Sequence, residues 1–132
     1  MKLVFVDDSK IVLKTLKALI QDMLDAKTVE CEFLNESAQV KERLEGRSLE
    51  YDVLFVDINM PYVSGYELAQ AAKSIDKYKF KPIIAITSEF TDEAKKLGED
   101  FGIDGWFLKS INQDSLQSSI VDVIKQLYKE KA

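Results

Sequence analysis

Five polar residues of this sequence stand at or directly after the ends of apolar segments. They are Asp7, Asp8, Asp57, Thr87 and Lys109. Three carboxylates held close together repel one another, and one lysine offsets only one of the three charges. A magnesium ion would remove the remaining charge and accepts oxygen ligands in octahedral geometry. The set therefore predicts a magnesium site if the fold brings these residues together, although each residue alone also fits an ordinary surface position.

Missing residue types narrow the chemistry further. The chain of 132 residues contains no histidine, which excludes histidine-based triads and histidine metal sites. Cys31 is the only cysteine, so an internal disulfide is excluded, and we interpret it as a small core residue in a reducing compartment. Neither a GxxxxGK[ST] loop nor a GxGxxG turn is present, which argues against a nucleotide-binding domain.

The elements that must position these residues follow from hydrophobic periodicity and capping signals. Strands are predicted at residues 3–6, 28–34, 53–56, 82–87 and 103–108. Helices are predicted to begin after Ser9, at about residue 37, at about residue 65 after the Ser64–Glu67 capping box, after Thr91 and after Asn112. Asn35 and Glu36 are interpreted as caps of the second helix. We expect the helix after Thr91 to be the least firmly held, because its apolar content is small.

The regular alternation of strand and helix predicts a single α/β domain over residues 1–132. We expect a doubly wound, five-stranded parallel sheet of the flavodoxin-like type, with strand order 2-1-3-4-5. All strands of such a sheet end at one edge, and strands 1 and 3 are neighbours at the switch point. The fold would therefore bring Asp7, Asp8 and Asp57 together, with Thr87 and Lys109 beside them.

Composition sets the class of protein and of partner. There are 18 basic and 23 acidic residues, for a net charge of −5, which argues against nucleic acid or an anionic membrane as a direct partner. No apolar stretch approaches the roughly 18 residues of a membrane span. The first residues, Met1 and Lys2, lead straight into a short apolar segment, so no signal peptide is expected. We predict a cytoplasmic protein.

The motifs resemble those of the CheY-like receiver domains of two-component signalling. The resemblance covers essentially the whole chain. It rests on Val6-Asp7-Asp8-Ser9, on Asp57-x-Asn-Met-Pro61-x-x-Ser-Gly65, on Ile86-Thr87-Ser88 and on Lys109. The resemblance implies a signal acceptor that takes its phosphoryl group from a phosphohistidine on a histidine kinase or phosphotransfer protein, and that has no kinase activity of its own.

The same resemblance assigns roles to individual residues. Asp57 is expected to be the phosphoacceptor, and Thr87 and Lys109 to bind the phosphoryl oxygens. Magnesium would be held by Asp7, Asp8, Asp57 and the backbone carbonyl of Asn59. Asn59 and Glu89 are each two residues past a site residue. They are expected to flank the path of the water that hydrolyses the acyl phosphate.

A conformational switch is also implied by the resemblance. In the family, the residue at Thr87 moves toward the phosphoryl group and is coupled to an aromatic side chain on strand 5, here Trp106. This sequence departs from the usual family pattern at two positions. Trp106 is bulkier than the usual tyrosine or phenylalanine and lacks a hydroxyl, and Ser110 stands where the family usually has proline. Because a cis bond before serine costs about 2.5–4 kcal/mol, we predict a trans bond between Lys109 and Ser110.

Several functions remain open at this point. We expect a stand-alone, monomeric response regulator of the chemotaxis type, which contacts its target through the fourth predicted helix, strand 5 and the last helix. A phosphorelay shuttle, a phosphate sink and the receiver of a larger regulator are alternatives. An aspartate-nucleophile phosphatase would also use magnesium, but it normally has a second acid two residues after the nucleophile, where this chain has Asn59.

Overall fold

The computed structural model of the protein describes residues 1–109 and 112–131. Its strands are β1 (Lys2–Val6), β2 (Glu30–Leu34), β3 (Val53–Val56), β4 (Ile83–Thr87) and β5 (Gly105–Leu108). Its helices are α1 (Lys10–Leu19), α2 (Gln21–Asp25), α3 (Ser37–Glu45), α4 (Gly65–Lys73), α5 (Asp92–Phe101) and α6 (Gln113–Lys131). None of these helices, in the part of the chain that is described, is long and apolar enough to cross a bilayer.

The five strands form one parallel sheet in the order β2-β1-β3-β4-β5. This confirms the predicted fold class and strand order. Parallel strands end at the same edge of a sheet, and the neighbours β1 and β3 finish in register, with Val6 opposite Val56. The next residues along the chain, Asp7 and Asp57, are therefore placed side by side.

Two apolar layers cover the two faces of the sheet. Along β1, Val4 and Val6 contribute to the layer under α3 and α4, whereas Leu3 and Phe5 contribute to the layer under α1 and α6. All four residues of β3 are buried. A strand covered on both faces has no solvent-facing side, which explains why its sequence is continuously apolar instead of alternating.

Polar side chains cap four helices at the predicted positions. Ser9, Ser64 and Thr91 accept hydrogen bonds from the backbone N–H groups of Val12, Glu67 and Ala94, and Asn112 accepts one from Asp114. The interpretation of Asn35 and Glu36 as capping residues is wrong for the Glu36 side chain. Glu36 occupies the N-cap position of α3 without a side-chain cap bond, because glutamate is not among the short side chains that reach these N–H groups well.

The first predicted helix is divided at Ile20. The backbone there leaves the helical region (φ −111°, ψ 13°), and the chain resumes as α2. The side-chain amide of Gln117 on α6 donates a hydrogen bond of 2.6 Å to the carbonyl of Leu19 at the break. A residue 98 positions away along the chain thus provides a hydrogen bond to a carbonyl at the break. Helical periodicity does not reveal such a distant contact.

The fifth strand begins at Gly105, later than the predicted residue 103. Gly102 adopts a left-handed conformation (φ 96°), and the N–H of Ile103 bonds to the carbonyl of Gly98 at 2.8 Å. Ile103 therefore belongs to the C-terminal cap of α5, where an apolar residue is common. Gly98 is the one buried residue of α5, in agreement with the expectation that this helix is weakly packed.

Candidate functional site

The predicted site residues are fixed to the sheet by their own backbones. The N–H of Asp57 bonds to the carbonyl of Val6 at 2.9 Å, and the N–H of Lys109 bonds to the carbonyl of Thr87 at 3.0 Å. Each bond continues a strand pairing by one residue past the strand end. The backbones of Asp57 and Lys109 are therefore held by the sheet.

Lys109 joins two of the three carboxylates directly. Its Nζ lies 2.6 Å from Oδ2 of Asp7 and 2.9 Å from Oδ2 of Asp57. Burial lowers the pKa of Lys109, but the hydrogen bonds to Asp7 and Asp57 outweigh this effect and leave the pKa above its ordinary value. The ammonium group is thus firmly charged. We call Asp7, Asp8, Asp57 and Lys109 the carboxylate pocket.

The other oxygens of the two buried carboxylates accept backbone hydrogen bonds. Oδ1 of Asp7 accepts from the N–H of Ser9 at 2.9 Å, and Oδ1 of Asp57 accepts from the N–H of Ile58 at 2.8 Å. Burial raises the pKa of Asp7, although its bonds to Lys109 and Ser9 favour the charged form. Each side chain is held in one orientation, with Oδ2 directed to Lys109.

The carboxylates of Asp7, Asp8 and Asp57 are close enough to share a metal ion. Each offers an oxygen that lies within 4.8 Å of the others; Asp7 and Asp57 are buried and Asp8 is exposed. This all-oxygen donor set fits a hard cation such as magnesium, which keeps several waters of its own. The exposed position of Asp8 leaves an opening through which such waters and a ligand can enter.

A chain of hydrogen bonds runs beside the carboxylate pocket. The buried Thr87 hydroxyl accepts a bond from the N–H of Glu89 at 3.3 Å, and the Glu89 carboxylate accepts one from the Asn59 amide at 3.0 Å. The backbone carbonyl of Glu89 accepts a bond from the indole N–H of Trp106 at 2.9 Å. Glu89 therefore connects the residues that the sequence suggested for water positioning with those suggested for the switch.

One close approach was not predicted from the sequence. A Cβ on Gly65 would overlap the backbone carbonyl of Asp57, so only glycine fits there. The N–H of Gly65 also bonds to the carbonyl of Ile58 at 3.0 Å, which ties the start of α4 to the end of β3. The available signal was a glycine at the first position of a helix, where it is otherwise unfavourable.

The peptide bond between Lys109 and Ser110 lies outside the described residues, so its predicted trans geometry stays a prediction.

Comparison with known proteins agrees with this geometry. The family model described as "Response regulator receiver domain" matches residues 3–121. Stress response regulator protein 1 of Candida albicans is 31% identical over 123 residues, which cover 90% of this chain and 42% of that protein. The cell cycle response regulator CtrA of Brucella ovis is 30% identical over 81 residues, or 61% of this chain and 34% of that protein. The chain thus spans less than half the length of these curated relatives.

Solved structures share the same architecture. The chemotaxis protein CheY4 of Vibrio cholerae superposes with a TM-score of 0.78 at 29% identity, covering 92% of this chain and 97% of that one. The receiver domain of the sensor histidine kinase PA1611 from Pseudomonas aeruginosa, solved with a magnesium ion in its active-site cleft, has a TM-score of 0.76 at 17% identity. The superposition covers 94% of this chain and 97% of that one. From the family match and the geometry together, the chain belongs to the response regulator receiver domains of two-component signalling.

Proposed function

We propose that Asp57 accepts a phosphoryl group from a phosphohistidine on another protein and that the phosphorylated domain signals by protein contact. The observation that carries the proposal is the contact of Lys109 with both Asp7 and Asp57, at 2.6 and 2.9 Å. A cation at this position is suited to neutralise the oxygens of a phosphoryl group on Asp57. Receiver domains are signalling proteins, and this one is proposed to catalyse only its own phosphorylation and dephosphorylation.

Magnesium is the proposed cofactor. Its ligands would be Asp7, Asp8, Asp57 and the backbone carbonyl of Asn59, and the clustering of the three carboxylates supports this assignment. When bound, the ion supplies positive charge next to the phosphoryl oxygens. It would also favour the ionised form of Asp7, whose pKa is raised by burial. The magnesium-containing PA1611 receiver domain has the same fold, which is consistent with this proposal.

The transfer itself is a displacement at phosphorus. An oxygen of the Asp57 carboxylate forms a bond to phosphorus as the bond from phosphorus to the donor imidazole nitrogen breaks, and the electron pair stays on that nitrogen. Thr87 and Lys109 are proposed to bind the phosphoryl oxygens. Because the chain contains no histidine, the phosphohistidine has to be supplied by another protein, proposed to be a histidine kinase or a phosphotransfer protein.

We propose that phosphorylation of Asp57 changes the positions of Thr87 and Trp106, and that this change alters the face formed by α5, β5 and α6. Thr87 is connected to Glu89, and Glu89 to Trp106, by hydrogen bonds. Two large apolar side chains near this face, Phe90 and Leu97, are 61% and 43% exposed. A surface of this kind suits a downstream protein target.

The pathway is proposed as the chemotaxis type, with the protein acting as a cytoplasmic monomer in which residues 1–132 form one receiver domain. The likeness to CheY4 at 29% identity supports this version. The similar stress and cell cycle regulators favour the alternatives, which are a phosphorelay or phosphate-sink role or a place within a larger regulator.

The proposal is tested by labelling with a small phosphodonor. Acetyl phosphate with magnesium should place one phosphoryl group per molecule on Asp57, and Asp57→Asn should remain unlabelled because an amide cannot form the acyl phosphate. Undiminished labelling of Asp57→Asn would overturn the assignment. Sustained turnover of a generic phosphomonoester, instead of stoichiometric labelling, would indicate a phosphatase.

A further inference from the structure

Ser37, the first residue of α3, is a buried polar residue that the proposed function does not use. Four polar or charged side chains other than those of tyrosines are buried in the described part of the chain. Three of them, Asp7, Asp57 and Thr87, belong to the proposed site, and the fourth is Ser37, which is 5% exposed. Burial of a hydroxyl is unfavourable unless it is hydrogen-bonded. The partner of Ser37 therefore indicates what this residue does.

The Ser37 hydroxyl bonds to another segment of the chain instead of to its own helix. A serine near a helix N-terminus commonly bonds to the nearby backbone N–H groups. Here the hydroxyl donates a bond of 3.1 Å to the carbonyl of Pro61, 24 residues away along the chain. Pro61 lies in the loop between β3 and α4. Ser37 thus ties α3 to the loop that follows Asp57, the proposed phosphoacceptor.

This loop has an unfavourable backbone conformation at Tyr62. The N–H of Val63 bonds to the carbonyl of Pro61 at 2.8 Å, and the φ angle of Tyr62 between them is +68°. A turn of this kind, with a positive φ at its centre, is the rare and strained form of the γ-turn. The Tyr62 side chain is 96% exposed, so it adds little packing that could offset the strain. The surroundings must therefore hold the turn, and the bond from Ser37 is one of the contacts that do so.

The same loop contains the proposed backbone ligand of magnesium, the carbonyl of Asn59. On one side of Asn59, the carbonyl of Ile58 accepts a bond of 3.0 Å from the N–H of Gly65. On the other side, the carbonyl of Pro61 accepts the two bonds described above. Asn59 is held between these two fixed carbonyls, so the direction of its own carbonyl depends on both of them.

We propose that Ser37 is a positioning residue of the magnesium site. It acts through the carbonyl of Pro61, which holds the loop so that the carbonyl of Asn59 can serve as a ligand. This role rests on the proposed function, in which magnesium is the cofactor. Magnesium requires a nearly ideal octahedral arrangement of ligands, whereas calcium accepts flexible arrangements and more ligands. Ser37 therefore contributes to the preference of the site for magnesium over calcium.

Two variants of Ser37 and a matched control test this role. Ser37→Ala removes the hydroxyl that bonds to Pro61. Ser37→Thr keeps a hydroxyl, and its additional methyl group has space because Ser37 lines a cavity of about 260 Å³. The control is Tyr78→Phe, which removes another buried bond from a hydroxyl to a carbonyl, that of 2.8 Å from Tyr78 to Leu49. Tyr78 lies before β4, at the edge of the sheet opposite to the carboxylate pocket.

Calorimetric titrations with magnesium chloride and with calcium chloride, in the absence of a phosphodonor, measure the two dissociation constants. Ser37→Ala should weaken magnesium binding about tenfold, the lower end of the effects typical of residues that support metal ligands. It should weaken calcium binding less than about threefold. Ser37→Thr should bind magnesium like the unmodified chain. Tyr78→Phe should leave both affinities unchanged, although it and Ser37→Ala should each lower the melting temperature by about 3–5 °C.

The outcomes separate the role of Ser37 from the proposed function. Equal magnesium affinities for Ser37→Ala and the unmodified chain would overturn the role of Ser37 alone. An equal loss of magnesium and calcium affinity would also overturn it, because general damage to the site would then explain the effect. The same holds for a Ser37→Thr protein of normal stability that binds magnesium weakly, and for a loss of affinity in Tyr78→Phe. Absence of magnesium binding to the unmodified chain would instead overturn the proposed metal site itself.

Discussion

The indole Nε1 of Trp106 donates a hydrogen bond of 2.9 Å to the backbone carbonyl of Glu89. Tryptophan lacks the hydroxyl of the tyrosine that the resemblance to the family would place at this position. The indole N–H supplies a donor of its own, so Trp106 is tied to the loop that precedes α5. The same loop is tied to Thr87 through the N–H of Glu89. A movement of Thr87 would therefore change the surroundings of the indole.

The first prediction uses Trp106 as a reporter. It is the only tryptophan of the chain, and it is half-buried beside Glu89, so its fluorescence comes from one environment. Saturation with beryllofluoride and magnesium should shift its emission maximum or change its intensity as its burial changes. Phosphorylation by acetyl phosphate should produce the same change, and Asp57→Asn should abolish it. An unchanged spectrum under proven saturation would mean that Trp106 takes no part in the switch.

The second prediction concerns the contact between Trp106 and Gly98. A Cβ on Gly98 would lie 2.8 Å from Cζ3 of the indole, a distance that forces the ring or the helix to shift. Gly98→Ala should gain up to about 1 kcal/mol of helix propensity. It should lose about 1–3 kcal/mol by overpacking, so the net free energy of unfolding should fall.

Denaturant unfolding of a double-mutant cycle separates the two contributions to the Gly98→Ala effect. In a Trp106→Phe background the smaller ring leaves room for the added methyl group, and Gly98→Ala should then stabilise the fold. A similar change in the free energy of unfolding in both backgrounds would show that the indole does not occupy the space opened by Gly98.

Sequence patterns were sufficient for the parts of the structure that depend on periodicity. The alternation of strand and helix indicated the flavodoxin-like type, which has the observed strand order. In that order Asp7 meets Asp57, because parallel strands finish at one edge. Other features of the structure could not be predicted from local sequence patterns. The break at Ile20 accompanies a bond from Gln117, and the left-handed turn at Tyr62 is one that local propensity disfavours. Neither feature leaves a signal at the residue concerned.

The third prediction concerns magnesium. Binding at a hundred times the dissociation constant should add about 2.7 kcal/mol to the free energy of unfolding. Asp8→Asn should weaken binding by about tenfold or more, because it removes one of three clustered carboxylates. It should also raise the stability of the metal-free protein slightly, because it relieves repulsion with Asp7 and Asp57.

Asp76→Asn is the matched control for Asp8→Asn, since the Asp76 side chain is 97% exposed and is paired with Lys79 instead. Magnesium titrations followed by thermal unfolding should show unchanged affinity for this control. A melting temperature of the unmodified protein that does not respond to saturating magnesium would contradict the metal site.

The fourth prediction follows from the burial of Cys31, which raises its pKa from 9.0 to about 12. Folding thus favours the neutral thiol, so this contribution to stability is complete below pH 9 and is lost as the pH rises toward 12. At pH 8, alkylation by iodoacetamide should be slower than in urea by up to about a thousandfold, because the thiolate is the reactive form. Below pH 12 the native rate should increase with pH. Rapid native labelling at pH 8 would show that the thiol is accessible and ionised.

The last prediction concerns the hydrogen bond of 3.0 Å from the Asn59 amide to the Glu89 carboxylate. The pair lies next to Asp57, where a water that attacks the acyl phosphate would pass, and by resemblance it accompanies a short-lived phosphoryl group. Loss of one such oriented bond should raise the hydrolysis barrier by about 1.4 kcal/mol, which lengthens the half-life about tenfold. Asn59→Ala and Glu89→Ala should each have this effect.

Because the two side chains act as a bonded unit, the double variant should be little slower than either single one. The measurement is the decay of ³²P-labelled protein after removal of acetyl phosphate. Glu93→Ala, which removes an exposed acid from the first turn of α5, should decay at the unmodified rate. A half-life that survives the change of both Asn59 and Glu89 would refute their role. Strictly additive effects would show instead that each residue contacts the water independently and that their mutual bond contributes nothing to its positioning.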